Sequence, residues 1–340
     1  MSQLSNPDIT PDVAHSLVVE HGSKAAAARA VGMSETTFRR RLNVMERPPV
    51  YDAGLATIED LPSEGRTAEE IIHEKKEVFR RKFNRWRAQH WQPVQFRSNE
   101  PTGLLWFGDP HLDDDGCHLE LLEQHVELCK QPGMLACNIG DTTNNWVGRL
   151  IKKYGDQSTT RTEGWELANW FLNKAGVPWL FWLLGNHDNW NDGPEILNRM
   201  NRNNVPIRDW QATLTFQFPN GWNPRVMAAH YFKGKSGYHP IQGGLKKAGR
   251  NLANLYIDGH THEWACFESE SEDTHERYWI AKARGYKFMD EYALHSGFGC
   301  QMLGSSILSI FQPETQSIRC FSNVEEGVDY LQWLRSKHAR

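Results

Sequence analysis

Residues 179–190 read WLFWLLGNHDNW. Six apolar residues, Trp179–Leu184, have the length of a buried strand and give way at once to Gly185-Asn186-His187-Asp188. The glycine permits a sharp exit, and three polar side chains follow it. The same arrangement recurs on both sides. Upstream, Leu104–Phe107 ends in Gly108-Asp109-Pro110-His111, and Met134–Ile139 ends in Gly140-Asp141. Downstream, Arg225–Ala229 ends in Ala229-His230, and Asn254–Ile257 leads to Gly259-His260-Thr261-His262. Strands alternating with helices predict an α/β fold. Polar clusters at their C-terminal ends fall where open α/β sheets hold ligands.

Asp, Asn and His are oxygen and nitrogen donors suited to Mn²⁺, Fe or Zn²⁺ rather than to a thiolate-seeking metal. One such cluster says little, whereas five in order at strand ends say a good deal. The ordered set resembles the signature of calcineurin-like metallophosphoesterases: D-x-H, GD, GNH[DE], H and GHxH. The resemblance spans Gly108 to His262. It implies a sandwich of two mixed β-sheets flanked by helices, and two divalent metal ions, with Mn²⁺ the first choice. It further implies that Asp109, His111 and His262 bind one ion, Asn186, His230 and His260 the other, and that Asp141 bridges them. His187, next to Asn186, is expected to serve as general acid, as the resemblance also implies, with Asn144 and Asp188 beside the ligands as supports. The chain departs from the family in places. It has GDTTNNW and GNHD in place of the GDxVDRG and GNHE of the protein phosphatases, so the phosphodiesterase and nuclease branches fit better. Tyr231 follows His230 where glycine is frequent. Asn144 stands where relatives carry an acid or a histidine, and it can hydrogen-bond but supplies neither charge nor proton.

Ahead of the catalytic segment the composition changes. Thr10-Pro11-Asp12 is a helix start, with a cap, a proline at the first position and an acid in the first turn. The next stretch, SKAAAARAVGMSETTFRRRL (23–42), predicts two short helices joined by a Gly32-Met33 turn, with Val31, Met33, Phe38 and Leu42 as the apolar contacts. It resembles the helix-turn-helix of resolvases. The outer face of the last helix offers Ser34, Thr36, Thr37, Arg39, Arg40 and Arg41, suited to base edges and phosphates; the bland alternative is a helical bundle for protein contacts. The predicted division is 1–47 helix-turn-helix, 48–100 linker and basic helix, and 101–340 catalytic domain. Thr67-x-x-Glu70 is a capping box opening the basic helix. Its Phe79, Phe83 and Trp86 share one face and are expected to pack on the catalytic domain, leaving the lysines and arginines outward.

The net charge of −4 carries no overall basic signal, so a nucleic-acid contact must be local. No stretch approaches a membrane span or a secretory signal. Six cysteines without close spacing read as reduced thiols in a cytosol-like compartment, which the resemblance to phage proteins given below would make a bacterial or phage-infected cytoplasm. Most of the fourteen tryptophans read as core, while Trp146, Trp190 and Trp264 follow the motifs and are expected to wall the cleft. Lys233, Lys235, Lys246, Lys247 and Arg250, among Gly234, Gly237, Gly243 and Gly244, read as a mobile, phosphate-gripping loop, to which Arg284-Gly285-Tyr286-Lys287 could add. Ser306–Phe311 reads as a further strand and Gly327–Lys337 as a closing helix.

A DNA reader ahead of such a catalytic domain resembles phage and prophage proteins. The leading expectation is a phosphodiesterase or nuclease acting on DNA, with a homodimer as the prior for its helix-turn-helix. Two alternatives stay open: a phosphoesterase for cyclic nucleotides or phosphomonoesters, and a DNA-binding regulator or assembly factor with a vestigial metal site.

Overall fold

The computed structural model describes residues 9, 11–43, 51–52, 54, 57–58, 66–234, 236, 239–250, 253–272, 274–289 and 305–338. The chain divides into two units, Met1–Glu77 and Val78–Arg340. In the first stand α1 (Pro11–His21), α2 (Lys24–Ala30) and α3 (Glu35–Asn43), the last two starting after Ser23 and Ser34 as expected, while the expected cap of α1, Thr10, lies outside the described residues. The Ser23 side chain accepts from the Ala26 N–H, and the Ser34 Oγ from the Thr37 N–H at 3.2 Å. Ala27 and Ala28 are fully covered, so α2 lies close to Phe38 and Leu42 of α3 within one small core. Farther along, Tyr51–Asp52 (β1) and Thr57–Ile58 (β2) pair antiparallel in a short ladder. Helix α4 (Ala68–Gln89) opens on the expected box: the Thr67 N–H donates to Glu70 Oε2 at 2.8 Å, and the Glu70 N–H to Thr67 Oγ1 at 3.2 Å.

The second unit is the α/β sandwich that the sequence predicts, with two six-stranded mixed sheets. One is built on the parallel core of β4 (Thr102–Phe107), β5 (Met134–Asn138) and β6 (Trp179–Leu184), extended by β7 (Ile207–Asp209). At its other edge stand β13 (Ile307–Gln312) and β14 (Ser317–Phe321), so the expected late strand is present. The second sheet contains β3 (Gln92–Gln95), β8 (Gln211–Gln217), β9 (Arg225–Ala229), β10 (Leu255–Asp258), β11 (Ala265–Glu270) and β12 (Arg277–Lys282). Within it, β9 and β10 run parallel.

Alternation along the strands explains the layers. Leu104, Trp106, Cys137, Phe181 and Leu183 face Leu214, Val226, Leu255 and Ile257 in the core between the sheets. Their neighbours Leu105, Phe107, Ala136 and Trp182 point the other way. They pack under α5 (Leu119–Leu128), α6 (Arg161–Asn169), α7 (Gly193–Met200) and the closing helix α9 (Val324–His338). On the outer face of the second sheet a shorter helix, α8 (Gln242–Ala248), covers Met227, Tyr256 and Ile280.

Three expectations are corrected by the fold. None of the residues of α4, all of them described, is buried: Phe79, Phe83 and Trp86 are 66%, 43% and 61% exposed and stack on one another instead of packing on the sandwich. Gly243 and Gly244 do not loosen a loop. They are buried in α8, where a Cβ would stand 1.9 Å from the Phe232 carbonyl oxygen or 2.3 Å from Ile280 Cγ2, so they are glycine for close packing. Arg284 and Lys287 are buried and grip nothing at the surface, since Lys287 Nζ pairs with Asp114 Oδ2 at 2.9 Å and Arg284 lies over the Phe288 ring. Lys235, Gly237 and the sixth cysteine, Cys300, lie outside the described residues; the other five cysteines form no disulfide. Among the described residues no helix is long and apolar enough to cross a membrane.

Candidate metal centre

Strands β4, β5 and β6 of one sheet and β9 and β10 of the other deliver all seven candidate ligands at their C-terminal ends. Five of these residues, Asp109, His111, Asp141, His260 and His262, have φ between 32° and 69°. A left-handed backbone is costly for a residue with a Cβ, so the packing around these turns holds it there. Sequence reasoning assigned the sharp turn to the glycines before the ligands. Of Gly108, Gly140, Gly185 and Gly259, only Gly140 has a positive φ, 109°. The others are glycine because a side chain would collide: a Cβ on Gly185 would stand 2.1 Å from Asp141 Oδ1, and one on Gly259 2.7 Å from Asp109 Oδ2.

Hydrogen bonds fix which ring atoms face inward. The Nδ1 of His230 donates to the Ile139 carbonyl at 3.0 Å, so Nε2 is the inward atom. It lies 3.0 Å from Asn186 Oδ1, 3.0 Å from His260 Nδ1 and 3.3 Å from Asp141 Oδ2. Asn144 sets two further rings. Its Nδ2 donates to Asp114 and Gln157, which leaves Oδ1 to accept from His111 Nδ1 at 2.9 Å, while its carbonyl accepts from His187 Nδ1. The Nε2 atoms of His111 and His187 therefore face Asp141 Oδ2, at 4.0 and 3.9 Å. His262 stacks on His111 with ring centroids 5.3 Å apart. Asp188 joins two of the loops, accepting from the N–H groups of Gly185 at 2.9 Å and Thr142 at 3.1 Å.

These atoms fit cations. Asp109 is fully buried. Its Oδ2 accepts from the His260 N–H, and its Oδ1 accepts no hydrogen bond among the described residues. Burial pushes its carboxyl up to about 8, with His230 pulling the other way. Burial holds His111 well below the ordinary imidazole range and His260 down at about 4, which keeps both neutral with a lone pair to give. For His230, burial is outweighed by the carboxylates of Asp141 and Asp109, which raise it to about 10, so the field at its Nε2 calls for positive charge. Burial also opposes the charge on Asp141, but His230 and His187 hold its pKa well below the usual carboxylate range. One proton on His230 Nε2 could serve only one of three acceptors, whereas a cation serves all four atoms at once. His111, Asp141 and His187 form one group of donor atoms within metal-binding reach, and Asp141, His230 and His260 a second.

His187 is 13% exposed at its side chain and lies between Trp146 and Trp190, with ring centroids 5.3 and 4.1 Å away. Two of the three expected wall tryptophans thus stand against it. Beyond His230, Tyr231 sits 5.0 Å from the His260 ring, and with Lys233, Gly234 and Lys246 it lines a cavity of about 510 Å³.

Sequence reasoning missed the ion pair beneath this site. Lys282 and Asp258 are buried and meet at 2.9 Å. Lys282 Nζ also donates to the Gly259 carbonyl at 2.9 Å, and Asp258 Oδ2 accepts from the Phe232 N–H at 2.8 Å, so one pair ties down the loops of both His230 and His260.

No protein-family model matches the chain. No curated protein matches it either. The solved structures it is similar to include three at low identity. One is Vacuolar Protein Sorting 29 from Cryptosporidium parvum, 12% identical over 65% of this chain and 96% of that one, with a TM-score of 0.36. Another is YfcE, a phosphoesterase from E. coli, 14% identical over 65% and 99%, with a TM-score of 0.33. The third is a metallophosphoesterase from Sphaerobacter thermophilus, 13% identical over 65% and 87%, also at 0.33. A likeness at this level carries no function across.

In the first unit, the six residues expected to meet DNA are not equivalent. Ser34 and Thr37 spend their hydroxyls on each other at 2.8 Å, at the start of α3. Arg41 is half-buried and donates to the Ile9 carbonyl at 2.7 Å, so it is not on the outer face. Thr36, Arg39 and Arg40 are exposed, with Arg39 paired to Glu35 at 2.6 Å and Arg40 to Glu69.

Proposed function

We propose that this chain is a metal-dependent phosphoesterase that hydrolyses phosphodiester bonds, with DNA as its substrate. The observation that carries the reading is the meeting of Asp141 with His111, His187, His230 and His260 at adjoining strand ends of two sheets. In this reading Asp109, His111 and His262 hold one divalent ion, Asn186, His230 and His260 hold another, and Asp141 is shared. The ions would supply a water made acidic enough to deprotonate near neutral pH, together with charge to offset that on the phosphoryl group.

The chain's own residues do the rest. Asn144 keeps the Nε2 atoms of His111 and His187 pointed inward by engaging both Nδ1 atoms. His187 Nε2 is placed to hand a proton to the leaving oxygen, and Trp146 and Trp190 keep water from its faces. Lys233 and Lys246, which line a hollow with Tyr231, are suited to a phosphate, and Thr36, Arg39 and Arg40 of α3 to a duplex. A second reading, a mononucleotide-sized substrate, rests on the open hollow lined by Tyr231, Lys233, Gly234 and Lys246.

One experiment separates these readings: incubation of single- and double-stranded DNA, and of a small diester, with the purified chain and Mn²⁺, beside His187→Ala. DNA cut by the wild type and not by the variant supports the first reading. Hydrolysis of the small diester alone moves the substrate to nucleotides, and metal binding with no hydrolysis at all overturns both. Metal content in His187→Ala decides its role: turnover lost with the ions retained makes it the acid, and loss of both makes it a ligand or support.

A further inference from the structure

The C-terminal half of α4 carries a feature the proposed chemistry does not use. Phe79, Phe83, Trp86 and His90 form a ladder along one face, with successive ring centroids 5.8, 5.9 and 6.1 Å apart and the rings within 13–26° of parallel. Exposed aromatic rings cost hydration free energy, and four in register on one helix face are more than scattered surface apolarity. Between residues 78 and 89 the helix also holds Arg80, Arg81, Lys82, Arg85 and Arg87 and no acid, giving a local charge of +5 on a chain whose net charge is −4. Arg87 lies 6.0 Å from the centroid of the Phe83 ring.

We propose that this face of α4 binds single-stranded nucleic acid, its bases stacking on Phe79, Phe83 and Trp86 and its phosphates meeting the flanking arginines and Lys82. Stacking rings interleaved with cations are what a single strand needs, because each base has a face and each linkage a negative charge. A second copy of the chain would bring the same positive charge against itself. The inference rests on the nucleic-acid part of the proposed function but not on hydrolysis, since binding here needs no metal.

The test uses the full chain in EDTA and a fluorescein-labelled 20-mer oligothymidylate, with anisotropy read across a KCl series beside a duplex of equal length. The single strand is expected to bind. Phe83→Ala and Trp86→Ala should each weaken it about tenfold. The combined Arg80→Gln, Lys82→Gln and Arg87→Gln variant, which removes the three cations flanking the ring face, should make the dependence of log K on log salt shallower by about two. The replaced side chains are exposed, and far-UV circular dichroism checks that each variant folds. Ring variants that bind as tightly as the wild type would overturn the proposal, as would loss confined to Arg39→Ala in α3. Dimers that disperse in Phe83→Ala during sedimentation, or binding to phosphatidylserine vesicles with none to the oligonucleotide, would overturn it too. A chain that binds the 20-mer in EDTA yet hydrolyses no diester with Mn²⁺ would remove the phosphoesterase reading and leave this one standing.

Discussion

Replacing Gly185 by alanine should disable the centre while leaving the fold in place. The added Cβ would lie 2.1 Å from Asp141 Oδ1, 2.5 Å from the Asp141 backbone nitrogen and 2.8 Å from its Cγ, where ordinary contact begins at 3.4 Å. Rotating the carboxylate relieves the first and third contacts but not the second, so the backbone at Asp141 must retreat by roughly an ångström. That residue accepts from the His187 N–H at 2.8 Å and faces His230 Nε2 at 3.3 Å, so both relations loosen together. An ångström of misplacement at a reacting centre costs on the order of 100-fold in rate. Overpacking of this kind costs about 1–3 kcal/mol, which for a unit of this size lowers the melting temperature by roughly 2–10 °C. Hydrolysis of bis(p-nitrophenyl) phosphate with Mn²⁺, bound metal by mass spectrometry after dialysis, and a thermal melt read the three quantities. Gly155→Ala is the control, because its Cβ would meet nothing within 4 Å. Gly185→Ala that keeps its metal and its rate within about twofold would show that Asp141 is not where the chemistry happens, even if the melting temperature fell.

Other expectations rest on the same contacts. Asn144→Ala removes the side-chain acceptor that holds His111 Nδ1 but keeps the carbonyl that holds His187; it should weaken metal affinity about 10–100-fold by calorimetry and cost about 1–3 kcal/mol in stability. Lys282→Met leaves Asp258 buried and unpaired and should cost about 3–5 kcal/mol in urea melts, much of it recovered when Asp258→Asn is added. His125 is held down at about 4 by burial, first, and by His118, and its Nδ1 meets the Tyr286 hydroxyl at 2.7 Å. The unfolded chain takes up a proton near pH 6.5 and the folded chain does not until about 4, so stability is complete above 6.5 and falls as the pH drops through that window, by about 3 kcal/mol. His125→Gln should flatten that part of the melting-temperature profile, and an unchanged slope would mean another group titrates there.

The sequence made the site more legible than its supports. Each of the five clusters announces itself because an apolar run ends abruptly in donors, a purely local signal. The interplay of Asn144 with two histidines is not local: which of its atoms donates depends on Asp114 and Gln157, and only the folded loop shows that. Lys287 read as a surface cation because its partner Asp114 lies far away along the chain. The periodicity of Phe79, Phe83 and Trp86 correctly put them on one face of a helix, but a period does not say what covers the face. The edge strands β3, β11 and β14 were invisible for a related reason: Gln92–Gln95 and Ala265–Glu270 are half polar and owe their conformation to the neighbour they pair with.

Four of the seven donors hang from one sheet and three from the other, so the gap they span is set by the thickness of the side-chain layer between the sheets. Phe181 and Leu214 in that layer thereby act as spacers for a centre they do not touch. Thinning the layer would draw the two halves together and favour a smaller ion; thickening it would favour a larger one. A substitution in that layer would therefore be felt in two quantities at once, the stability of the sandwich and the size of ion the centre accepts.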